Sequence, residues 1–197
     1  MPRTAKPPDP AERERILQAA VAVLGEVGPL AAKQSQIAAR AGVAYGTLYR
    51  HFRDRNSLLL AALLDQSHRV EQVWEAASTI ADPVERILRI CTAPLTRIAD
   101  VPGLRATLST GSGGPAAIDG GPAEVARLVG IGESLLRQAI AEAVAGGAFA
   151  GLPEDVLAAT LLGVPASYLL FGVGPDEPDW EHIASGFDAV LRRLAGR

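Results

Sequence analysis

Only one cysteine, Cys91, occurs in 197 residues, so no disulfide can close within the chain, which fits a reducing compartment. Aromatic residues make up only 5%. The interior must therefore be filled by Leu, Ala, Val and Ile, which favours packed helices over a sheet rich in Tyr and Val. Histidine occurs at positions 51, 68 and 182 alone, which leaves few candidates for general-base chemistry. No Ser/His/Asp or Cys/His set, clustered carboxylates or strand-borne phosphate loop accompanies them. The expectation is a protein that is not an enzyme and holds no cofactor. His68 and His182 each follow an aspartate by three, Asp65 and Asp179, a helical spacing that can chelate metal. Only two such pairs exist and Asp179 is accounted for as a helix cap, so no metal is expected.

Long apolar runs are absent, with one exception. Residues 156–175 carry no charge, and about twenty apolar residues suffice to span a bilayer. The run is interrupted by Thr160, Gly163, Pro165 and Ser167, however, and flanked by Glu154, Asp155, Asp176 and Glu177 rather than by basic residues. It reads as a helix buried on most sides, with no membrane partner. The first ten residues, MPRTAKPPDP, are polar and Pro-rich. They read as a disordered arm and not as a signal peptide, and the expected location is cytoplasmic.

Net charge is −3, which taken whole argues against a nucleic-acid partner. Its distribution points the other way. Residues 1–60 hold nine Lys/Arg against five acids, a net +4, and the remaining 137 residues are net −7. A basic head on an acidic body is the pattern of a DNA reader joined to a second module.

The most informative stretch is QSQIAARAGVAYGTLYRHF, residues 34–52. Ile37, Ala38 and Ala41 form the apolar face of a short helix, Gly42 falls where the chain must turn, and Val43, Leu48 and Phe52 continue the apolar side on a second helix. Ala38 lets the two helices cross closely. Ala44, Tyr45, Gly46, Thr47, Tyr49, Arg50 and His51 are left on the second helix. Small, aromatic, hydroxyl and basic groups of this kind suit base edges and phosphates.

Apolar periodicity and capping signals predict an all-α chain of about nine helices. The expected spans are 11–27, 33–41, 44–52, 54–77 (capped by Asp54), a Pro94-kinked helix after Asp82-Pro83, a short helix at 102–108, then 122–145, 153–171 and 180–195. Residues 110–122, TGSGGPAAIDGGP, are expected to form a loop without regular structure. The division is a disordered arm over 1–10, a three-helix helix–turn–helix DNA-binding head over 11–55, and a helical-bundle body for ligand binding and dimerisation over 56–197.

RERILQAAVAVLGEVG, IAARAGVAYGTLYRHF and the DR-N-S-LLL start of the fourth helix resemble the N-terminal domain of the TetR family of bacterial transcriptional regulators. The resemblance covers about a quarter of the chain. It implies a homodimer that binds a palindromic double-stranded DNA operator, most simply a repressor, and releases it when a small-molecule effector enters the body. By the same resemblance Thr47, Tyr49, His51 and Arg55 sit where phosphates are contacted. Tyr45 and Gly46 open the recognition helix, and Gln34 and Ser35 open the helix before it. Departures occur at Ala32 and Gln34, where Thr and an apolar residue are common, and at Tyr45, where a basic residue is common. Tyr45 could pack on a thymine methyl or a sugar in place of pairing with guanine.

The eighth and ninth predicted helices are expected to form the homodimer contact, with Ala158, Ala159, Gly163 and Ala166 allowing close approach. Trp74, Leu88, Cys91, Leu95, Ile98, Leu104, Leu108, Leu135, Phe149 and Tyr168 are candidates to line an effector cavity, although ordinary core packing explains each of them equally well. Two rival readings stay open: a helical enzyme or carrier with a vestigial head, and a regulator governed by a protein partner.

Overall fold

The structure, a computed structural model, describes residues 9–100, 114–170 and 179–196. Among them are eight α-helices, one 3-10 turn and no strand, as the scarcity of aromatic residues predicts. The helix expected at 102–108 lies outside the described residues.

Helix α1, Pro10–Ala31, starts where the Asp9 carboxylate accepts the Ala11 N–H at 2.9 Å, with Pro10 at its first position. Its regular part ends at Gly28, whose φ of 74° breaks the helix before one further turn. Helix α2, Gln34–Ala41, and helix α3, Tyr45–His51, follow. Helix α4, Arg55–Ser78, is capped reciprocally: Ser57 N–H donates to Asp54 Oδ1 at 2.7 Å and Asp54 N–H donates to Ser57 Oγ at 3.1 Å. That pairing satisfies two otherwise orphaned donors. Helix α5, Pro83–Asp100, begins at Asp82, which accepts the Val84 N–H at 2.9 Å. Helices α6, Gly121–Ala145, α7, Glu154–Leu170, and α8, Trp180–Leu194, complete the body. Asp179 caps α8 through the His182 N–H at 2.9 Å.

Two apolar clusters hold the molecule. In the head, Ile16, Leu17, Leu24, Ile37, Leu48, Leu58 and Leu59 are almost wholly buried. Each such side chain contributes about 1.5–3 kcal/mol by leaving water. The body cluster includes Val70, Trp74, Ile87, Cys91, Leu136, Ile140, Phe149 and Leu191. Helix α4 supplies Leu58, Leu59 and Ala62 to the first and Val70 and Trp74 to the second. It is the physical link between head and body, as its length predicts. In the body, Trp74 fits against the bare backbone of Gly132, where an added Cβ would lie 2.8 Å from the indole Cη2.

The structure corrects three expectations. The loop reading of 110–122 fails for its described part: Gly114–Ala117 is a 3-10 turn and Ile118 is fully buried in the head cluster. Gly114 and Gly120 turn the chain at φ 50° and 84°, and a Cβ at Gly121 would sit 2.2 Å from the Pro115 carbonyl oxygen. Glycines read as a sign of looseness here permit a tight knot. Leu95, taken as a cavity residue, belongs to the head cluster. Ala158, taken as a free contact for a second subunit, is buried against its own subunit's core.

Candidate nucleic-acid interface

The turn between α2 and α3 is built by backbone bonds. Gly42 adopts φ 64°, ψ 35°; its N–H reaches Ala39 O at 3.2 Å, and the Val43 N–H reaches Ala38 O at 3.1 Å. This left-handed closure satisfies the last carbonyls of α2 and favours glycine over any residue with a Cβ. Ala32 supplies no side-chain cap to α2. Gln36 Oε1 instead accepts the Lys33 N–H at 3.0 Å, which fixes the helix entry without a threonine. Leu48 and Phe52 anchor α3 in the head core, and the Arg13 guanidinium lies 5.5 Å over the Phe52 ring.

With the apolar side of α3 so fixed, its other faces are set. Ala44, Tyr45, Gly46, Tyr49 and Arg50 are exposed, as is Ser35 on α2. Tyr45 and Tyr49, one turn apart, meet edge to face with centroids 5.0 Å apart and planes at 80°, and their hydroxyls are 3.4 Å apart. The Tyr49 hydrogen bond raises the Tyr45 phenol above its ordinary pKa. Thr47 is half-buried and accepts from Arg50 Nη2 at 2.8 Å. Lys33, not among the residues singled out, is exposed immediately before α2. Its place next to Gln34 was the available signal. The Arg53 side chain is 93% exposed.

Three residues expected on this surface are placed otherwise. The His51 imidazole is only 2% exposed, with Nε2 3.4 Å from Glu12 Oε2 on α1. It closes the seam between α1 and α3, and its Nδ1 is buried without a partner. Arg55 turns inward: Nε donates to Ala32 O at 2.9 Å, and Nη2 reaches Pro29 O and Leu30 O. Its guanidinium ties down the end of α1, because carbonyls left free by the Gly28 break need donors. Gln34 is half-buried, with its amide nitrogen covered and without a partner. The resemblance assigned these residues to the DNA face, and it does not show which way each side chain points.

In the body, Trp74 and Leu135 line a cavity of about 50 Å³ together with Ser78, Arg86, Ile90 and Gln138. Those last four escaped the sequence reading: Ser78, Arg86 and Gln138 are polar and interrupt the apolar stripes, whereas Ile90, three residues after Ile87, belongs to the buried stripe of α5. Trp74 Nε1–H donates to Ile90 O at 2.9 Å, and Arg86 donates to Ile80 O at 3.1 Å and Glu142 at 2.7 Å. Cys91 and Phe149 are buried in the body core and Leu88 packs against it. Ile98, Leu104, Leu108, Ala166 and Tyr168 lie outside the described side chains. Among the described residues no helix is long and apolar enough to cross a membrane.

Residues 16–62 match the sequence profile of the bacterial regulatory proteins of the tetR family. That match covers the head, from α1 into the first part of α4. The chain is 38% identical over 84 residues to the HTH-type transcriptional regulator BetI of Yersinia pestis (strain Pestoides F), a match covering 41% of this chain and 42% of BetI. The matched part thus spans less than half of that curated relative. The whole fold is similar to the TetR family regulator PfmR from Thermus thermophilus, with a TM-score of 0.74 at 22% identity, covering 91% of this chain and 97% of PfmR. It is also similar to AibR, solved with isovaleryl coenzyme A and operator DNA. That likeness has a TM-score of 0.67 at 21% identity and covers 93% of this chain and 98% of AibR.

Proposed function

We propose that this protein is a DNA-binding transcriptional regulator, a repressor that binds a palindromic operator as a homodimer and releases it on binding a small-molecule effector. The observation that carries the reading is the exposed side of α3. Leu48 and Phe52 lock the helix to the head core, while Tyr45, Gly46, Tyr49 and Arg50 face solvent. A rigid short helix with an uncommitted polar and aromatic face is suited to the major groove, with flanking Lys33 and Arg53 on phosphates.

Two such helices need a two-fold partner. Val156 on α7 and Val190 and Leu194 on α8 are large apolar side chains left exposed, at 56%, 59% and 40%. Ala159 and Gly163 are exposed beside Val156 on α7. Apolar exposure on both helices supports a self-complementary contact there, setting the two copies of α3 about 34 Å apart.

The effector site is proposed at the Trp74–Leu135 cavity. At about 50 Å³ it is below the roughly 300 Å³ of a typical ligand pocket, so an entering molecule has to displace Trp74 or Leu135. Movement there reaches the DNA face through α4, which joins both cores. That AibR was solved with isovaleryl coenzyme A makes acyl thioesters a first class to screen. The reading is of a protein without catalytic activity, and a cytoplasmic location fits it.

The test is fluorescence anisotropy with genomic fragments selected by the purified protein. Bound fragments should carry an inverted repeat. Affinity should fall steeply with salt, its logarithmic slope being about −0.9 per phosphate neutralised. Failure to retain any fragment at low salt overturns the proposal.

A further inference from the structure

We propose that Tyr45 and Tyr49 act together as a thymine reader, the Tyr45 ring packing on the 5-methyl group of a thymine in each half-site. The inference rests on the reading of α3 as the DNA-contacting helix and adds which base it selects.

The leading end of α3 offers an aromatic ring and a bare backbone, with no charged donor. Tyr45 is the first residue of the helix and is 46% exposed, as is Tyr49. Gly46 beside it has nothing within 4 Å of an added Cβ, so no side chain holds the helix away from a base edge. Reading guanine in the major groove takes an Arg or Lys fork on O6 and N7. The basic side chain nearest in sequence on this helix, Arg50, lies five residues on and is hydrogen-bonded to Thr47 at 2.8 Å. What remains at the front suits the one base edge in the major groove that carries a methyl group, next to an acceptor oxygen.

The pair geometry supports the role. Edge-to-face contact at 5.0 Å and 80° holds the Tyr45 ring against rotation before DNA arrives, so little side-chain freedom remains to be lost on docking. The hydroxyls, 3.4 Å apart, can share one hydrogen bond and still leave an O–H free to donate to thymine O4 or to a phosphate. Cytosine lacks the methyl and loses the packing contact, while the hydroxyl, donor and acceptor alike, does not tell the two bases apart.

The experiment uses the full-length protein and a duplex selected by it from a random-sequence pool, resynthesised with deoxyuridine for every thymidine. Uracil pairs as thymine does and lacks only the methyl. At one fixed salt concentration the wild type should bind the uracil duplex roughly fourfold more weakly per buried methyl, about fifteenfold for two half-sites. Tyr45→Ala should bind both duplexes equally, and Tyr45→Phe should keep the discrimination. Placing 5-methylcytosine at the weakened cytosine variant of that position should restore part of the affinity. Equal wild-type affinity for the two duplexes overturns the thymine reader and leaves α3 as a DNA helix intact. Undiminished discrimination by Tyr45→Ala also overturns it, since the methyl is then read elsewhere. Recovery of no duplex at any salt overturns both readings together.

Discussion

Asn56 and the backbone of Asp119 pair through two hydrogen bonds, Asn56 Nδ2 donating to Asp119 O at 3.2 Å and Asp119 N–H donating to Asn56 Oδ1 at 2.8 Å. The side-chain amide imitates a peptide group, and the pairing joins the first turn of α4 to the turn that precedes α6. The neighbouring Ile118 is buried among head residues. The body thus plugs into the head with one isoleucine and latches with one asparagine. Ile118→Ala should cost about 2–5 kcal/mol, the range for a truncated core aliphatic. Asn56→Ala, at an exposed pair, should cost only about 0.5–1.5 kcal/mol. Urea unfolding of the two variants gives the comparison, and equal small losses would mean that the plug contributes little.

Gly46 separates folding from binding. It sits within α3 at a position where a Cβ meets nothing, and alanine is preferred over glycine in helices by about 1 kcal/mol. Gly46→Ala should therefore leave the melting temperature unchanged or raised, while weakening DNA binding by crowding the groove. Unaltered operator affinity in a stabilised variant would show that the helix start stands clear of DNA.

Arg53 and Arg55 should behave as opposites despite neighbouring positions. Arg53 is almost fully exposed, so Arg53→Ala should leave stability alone and reduce the salt slope of binding by about one. Arg55 donates to the Ala32, Pro29 and Leu30 carbonyls. Arg55→Ala strips those acceptors of their donor and should destabilise the head by about 1–3 kcal/mol. Paired thermal melts and binding titrations in varied salt distinguish the two effects.

Burial pushes the Cys91 thiol up to about 12 from an ordinary value near 9. The reactive thiolate is thus withheld, and the native protein should resist a thiol-reactive dye at pH 8 yet react at once in denaturant. The unfolded chain loses this proton at lower pH than the folded one. Stability from this group is therefore complete below about pH 9 and declines as pH rises towards 12; Cys91→Ala should flatten that decline. Rapid native labelling at pH 8 would contradict the buried placement.

The helical class, the caps at Asp54 and Asp179, the turn at Gly42 and the core roles of Leu48 and Phe52 were all legible in the sequence. Each depends on local chemistry: a carboxylate before a helix, a residue able to turn left-handed, an apolar repeat near 3.6. Side-chain direction was less legible. His51 and Arg55 lie beside residues that do face solvent, and their inward turn depends on partners 39 and 23–26 positions away. No window along the chain contains both ends of such a contact.

The amino-acid order alone determined that a basic three-helix unit with a Tyr-Gly start to its third helix would precede an acidic helical body, because periodicity and capping act over a few residues. Tertiary structure alone decided that a glycine-rich connection would become a plug for the head, that Leu95 would join that head, and that a histidine and an arginine of the motif would serve packing. Those outcomes follow from which surfaces meet when distant segments exclude water, and buried donors and carbonyls then pair with whatever that meeting brings within reach.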